Sequence, residues 1–158
     1  MSSFATTPFD PVIVRSGEAE YLPEIAHRLL ADASATGGAL SAHRVQLPRD
    51  GNGAVPHRHN HSSELFFVVD GALDVLVGAE IATARPGDLL VVPPECDHAF
   101  RAHPGHSADA LIVITPGVER FGYFRHLVRI RRGEASRESL LAEQDRYDTH
   151  FVPSPTWE

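Results

Sequence analysis

From residue 64 to residue 115 the chain falls into short β-like runs, 64–69, 72–77, 80–84, 88–92, 99–102 and 108–115. The gaps hold Asp70-Gly71, Gly78, Pro86-Gly87, Pro93-Pro94 and Pro104-Gly105, each able to reverse the direction of the backbone. Short strands at near-regular spacing with turn residues between them indicate an antiparallel sandwich or barrel. Upstream, a loose arm precedes a short strand over Val12–Arg15 that ends before Gly17. His27–Ala31, a polar turn over Ser34–Gly38 and an alternating run over Ala39–Leu47 follow, and then the Gly- and Pro-rich loop Pro48–Pro56.

Helices come only at the end. Over Glu119–Ile130 the apolar Phe121, Phe124, Leu127, Val128 and Ile130 recur at helical spacing, with Arg125, Arg129, Arg131 and Arg132 flanking them as a solvated face and Gly133 as the stop. A second helix is expected over Ser136–Tyr147, with Ser136 as cap and Leu140, Leu141 and Tyr147 turned inward. The tail Thr149–Glu158, with Pro153, Pro155 and Trp157, reads as an extended strap. These parts make one all-β domain overall: an N-terminal arm and first strands over 1–38, a barrel core over 39–116, and C-terminal helices and tail over 117–158.

The length of 158 residues suits a single core. All 14 basic residues are arginine, against 21 acidic ones, and the formal charge of −7 argues against nucleic acid as a partner. The single cysteine, Cys96, excludes an internal disulfide and reads as a small hydrophobe. The first ten residues lack a basic flank followed by an apolar run, and no apolar run approaches the roughly 20 residues that cross a bilayer. A cytoplasmic protein without membrane association is therefore expected.

The chemistry concentrates in the stretch from Gly51 to Gly71. On a strand, alternate residues point the same way, so His57 and His59 project together from one face. A tight turn after His59 brings Glu64 alongside on the next strand, and a carboxylate oxygen completes a set begun by two imidazoles. In a second stretch Gly87 and Pro93 bracket a buried strand, and His98 opens the one after it, within reach of the same point. Phe66 and Val68 share the parity of Glu64 and face the interior, with Val55 and Phe100, as core or as pocket wall. His61 is placed at the mouth of the site, and His103 and His106 in an exposed loop.

The order and spacing of these residues resemble the cupin superfamily, whose first motif is G-x5-H-x-H-x3–4-E-x6-G and whose second is G-x5-P-x-G-x2-H-x3-N. Gly51, His57, His59, Glu64 and Gly71 match the first in full. Gly87, Pro93 and His98 match the second, while Glu95 stands in place of its second glycine and Ala102 in place of its asparagine. The resemblance implies a jelly-roll β-barrel holding one divalent metal ion, Fe, Mn, Ni, Co, Cu or Zn, on His57, His59, Glu64 and His98. The phrase from His57 to Gly71 is most similar to single-domain cupins grouped with quercetin dioxygenases. That likeness implies a dioxygenase acting on an aromatic or enolic small molecule, with Glu64 as the proton acceptor, and a homodimer. The alternatives are a non-oxidative polyketide cyclase or isomerase, and a non-catalytic small-molecule-binding cupin.

Overall fold

The structure, a computed structural model, describes residues 10–157. Up to residue 9 the expected N-terminal arm lies outside the described residues, as does Glu158. The strands are β1 (Glu20–Leu22), β2 (His27–Ala31), β3 (Ser41–Leu47), β4 (His57–Arg58), β5 (Ser63–Gly71), β6 (Leu73–Val77), β7 (Glu80–Ala84), β8 (Leu89–Val92), β9 (His98–Ala102), β10 (Ala108–Thr115) and β11 (His150–Phe151). The helices α1 (Phe121–Arg131), α2 (Arg137–Leu141) and α3 (Gln144–Tyr147) lie between β10 and β11.

The strands form two antiparallel sheets, ordered β1-β2-β3-β10-β5-β8 and β11-β4-β9-β6-β7. Alternation explains why they face each other. On β3 and β10 every second side chain is buried, and the buried set Val45, Leu47, Ala108, Ala110 and Ile112 meets Leu73, Val75, Phe100 and Ala102 from the other sheet. Phe66 and Val68 sit fully buried in that core, where each contributes about 1.5–3 kcal/mol through burial. The expectation of an all-β fold with C-terminal helices holds. Among the described residues no helix is long and apolar enough to cross a membrane.

Three local expectations change. Val12–Arg15 forms no strand, and Val12, Ile13 and Val14 stay exposed, because among the described residues no neighbouring strand takes up their backbone hydrogen bonds. The expected second helix is two short ones. Ser136 caps α2 by accepting from the Ser139 N–H, but the break after Ala142 turns Leu141 outward while Leu140 and Tyr147 stay buried. The tail is less free than a strap, since β11 pairs with β4, with Phe151 opposite His57, and Trp157 stacks on the Arg101 guanidinium at 4.1 Å.

Helix α1 is anchored from a distance. The Asp32 carboxylate accepts from the Arg120 N–H at 2.6 Å and the Phe121 N–H at 3.3 Å, satisfying donors at the start of the helix. Tyr123 and Phe124 then pack with Leu29, Leu140 and Tyr147 in a second apolar cluster that docks the helices on β2. On the outer face Arg125 pairs with Glu20, and Arg132 pairs with Glu24.

The motif glycines and their replacement have distinct steric explanations. Gly71 has φ +73, and a Cβ there would lie 2.0 Å from the Ser107 carbonyl oxygen, so only glycine fits. Glu95 occupies the motif's second glycine position and still adopts φ +66, with its N–H donating to the His59 carbonyl at 2.7 Å. The turn is therefore kept at a strain of about 1–2 kcal/mol. Ala102, in place of asparagine, packs in the core.

Candidate metal centre

His57, His59, Glu64 and His98 are all buried, and their ligand atoms lie within 4.8 Å of one another. Their positions follow from sheet register. His57 on β4 is paired directly with His98 on β9, and Glu64 on β5 lies between Val92 of β8 and Ile114 of β10. The Glu64 carboxylate stands 2.8 Å from His59 Nε2, 2.5 Å from His98 Nε2 and 3.9 Å from His57 Nε2.

Each imidazole is held by its other nitrogen. His57 Nδ1 donates to the Val55 carbonyl at 2.7 Å, His59 Nδ1 to the Asp148 carbonyl at 2.6 Å, and His98 Nδ1 to the Cys96 carbonyl at 2.9 Å. A carbonyl oxygen only accepts, so in the neutral rings Nδ1 carries the proton and Nε2 presents a lone pair. Three such lone pairs and a carboxylate converging on one buried point repel one another unless a cation lies among them. This donor set of three nitrogens and one oxygen fits a borderline divalent metal.

The electrostatics agree. Burial, reinforced by neighbouring His98 and His59, pushes His57 well below the ordinary histidine range. Burial alone would raise Glu64, but His98 and His59 outweigh it and hold the carboxylate well below its usual range. Burial opposes a charge on His98, yet the Glu64 carboxylate beside it raises it above the ordinary histidine value.

His57 and Glu64 form part of the wall of a cavity of about 380 Å³, within the size range of small-molecule sites. Val55 and Phe100 line it too, whereas Phe66 and Val68 belong to the packed core and His61 is exposed. Cys96 is half-buried against the core, and His103 is tied to buried Asp74 at 2.7 Å.

Sequence reasoning missed further residues of the cavity wall: His27, His43, Arg120, Tyr123 and Phe124. For His43 a signal existed, since it shares the buried parity of Ser41, Val45 and Leu47 on β3. It also missed Asp148, whose carbonyl orients His59 while its carboxylate accepts from the Asn60 and His61 N–H groups at 2.8 and 2.9 Å. The C-terminal segment thereby fixes the loop between two of the candidate ligands.

Residues 43–116 match the cupin domain family. Over 110 residues the chain is 27% identical to quercetin 2,3-dioxygenase of Bacillus subtilis (strain 168), covering 68% of this chain and 32% of that protein. Over 82 residues it is 32% identical to 5-nitrosalicylic acid 1,2-dioxygenase of a Bradyrhizobium species, covering 52% and 38% respectively. The chain thus spans about a third of the length of these curated relatives. Among solved structures, the polyketide cyclase RemF of Streptomyces resistomycificus shares the fold at a TM-score of 0.54 and 18% identity, covering 66% of this chain and 78% of that one. The family match begins at His43 on β3 and ends at Pro116 just past β10, so all four converging side chains lie in the stretch that matches the cupin domain family.

Proposed function

We propose that the protein is a metal-dependent dioxygenase acting on a small aromatic or enolic substrate, with one divalent metal held by His57, His59, Glu64 and His98. The observation that carries this reading is the convergence of three Nε2 lone pairs and a buried carboxylate at the wall of a cavity that aromatic and polar side chains line together. Both curated relatives are dioxygenases, which supports oxygen chemistry over the alternatives.

When bound, a metal in such a site supplies Lewis acidity toward a substrate oxygen and, if redox-active, electrons for dioxygen. The chain's own residues do the rest. Phe100, Tyr123 and Phe124 cover the cavity with aromatic surface that seats a planar substrate and displaces water. The hydrogen bonds from Nδ1 of each histidine hold the imidazoles in one orientation. Glu64 is ionised, the form able to take a proton from a substrate hydroxyl at its carboxylate oxygen.

Oxygen uptake with a panel of flavonols and hydroxybenzoates tests this directly. Consumption of dioxygen together with substrate is expected, with no turnover under anaerobic conditions. Glu64→Gln should lower kcat by roughly 100-fold or more, the scale of a lost proton acceptor. Turnover that continues without oxygen would overturn the reading in favour of a non-oxidative cyclase or isomerase.

A further inference from the structure

The wall of the cavity also contains a buried cation that the proposed chemistry does not use. Arg120 is 4% exposed, and among the described residues no carboxylate pairs with it directly. Its Nη1 donates to the Tyr147 carbonyl at 3.1 Å and to Thr149 Oγ1 at 2.6 Å, while its Nε has no partner. The guanidinium lies over the Tyr123 ring at 4.0 Å and 5.2 Å from the centre of Phe124, which is packed in turn against His43 at 4.6 Å. His43 is 3% exposed, and its Nδ1 also lacks a partner.

Two orphaned polar groups in one cavity call for a ligand. A buried guanidinium stays charged and is costly to bury without an anion beside it. Glu64 and Asp148 favour its charge from a distance, but neither forms an ion pair with it. Glu64 is engaged by His59 and His98, and the Asp148 carboxylate is taken up by the Asn60 and His61 N–H groups.

We propose that Arg120 is the recognition point for a carboxylate on the substrate, with His43 beside it on the same wall. The inference deepens the reading of this cavity as the substrate site and narrows the substrate class to aromatic or enolic acids. One end of such a molecule meets His57 and Glu64, its plane lies among Phe100, Tyr123 and Phe124, and its carboxylate meets the part of the Arg120 guanidinium that lines the cavity. Nη1 is spent on backbone and threonine oxygens and Tyr123 is a further side-chain partner, so the guanidinium is held in one orientation for the anion.

The test is calorimetric binding of benzoate and its neutral analogue benzamide to the full-length protein as purified, with metal content measured on every sample. Benzoate should bind roughly 10- to 100-fold more tightly, the worth of a charge-assisted hydrogen bond. Arg120→Gln should abolish that preference with metal content unchanged, and Arg120→Lys should retain part of it. Equal binding of the two ligands by the unaltered protein, which needs no variant to fold, would overturn the proposal. So would a preference that survives Arg120→Gln, because the carboxylate would then be held elsewhere, at the metal for instance. Neither failure touches the dioxygenase reading, which stands or falls on metal content and oxygen uptake.

Discussion

Replacing His98 by alanine is expected to strip the protein of its metal and to lower its stability by about 3–5 kcal/mol. The side chain is 1% exposed and stands 2.5 Å from the Glu64 carboxylate, so its loss does three things at once. It removes one of four converging donors, leaves a fully buried space, and takes from Glu64 its strongest electrostatic partner. For a chain of this length that loss corresponds to a fall in Tm of about 6–20 °C. Elemental analysis and thermal unfolding read the two effects separately. Cys96→Ser, two residues away on the same approach, changes a side chain outside the cluster and should leave metal content intact. Metal retained at wild-type stoichiometry in His98→Ala would show that the four side chains do not act as one site.

Acid should weaken the fold through His27 over the range from its ordinary pKa of 6.5 down to about 4. Burial is the main cause of that depression, with Arg120 and Arg131 adding to it against the opposing pull of the Ile25 carbonyl and Glu64. The ring stacks on His43 at 5.2 Å and an interplanar angle of 11°, so a proton on either ring meets a second imidazole and a guanidinium. The unfolded chain therefore takes up this proton first as pH falls. Stability is fully present above 6.5 and drains away toward 4, and the interval of 2.5 units amounts to about 3 kcal/mol. His43, also held well below its ordinary range by burial, adds a contribution of the same sign. In urea unfolding at about pH 7 and about pH 4, His27→Asn should lose about 3 kcal/mol less than the unaltered chain, since asparagine can donate to Ile25 without titrating. Parallel losses in the two proteins would refute the assignment.

The strands β3, β5 and β10 were legible because alternate side chains are buried in an antiparallel sheet. Strict alternation on 41–47 and 108–115 and the turn residues between runs carry the pattern at the level of single residues. The converging donors were legible for the same reason: His57 and His59 share a face by parity, and the spacing to Glu64 fits one tight turn. What escaped the sequence depends on contacts between distant segments. Nothing local announces that Asp32 caps a helix 88 residues on, or that the carbonyl of Asp148 orients His59. Arg120 carries no local signal of its place, and the docking of α1 on β2 turns it into part of a cavity wall. Val12–Arg15 shows the opposite case, in which local β propensity is not enough without a partner strand.

The central claim is that His57, His59, Glu64 and His98 hold a metal ion, and the most direct measurement is elemental analysis of the protein purified without an affinity-nickel step. Close to one divalent transition metal per chain is expected, lost in His57→Ala. Protein that is folded, metal-free and unable to take up Fe, Mn, Co, Ni, Cu or Zn on reconstitution would contradict it.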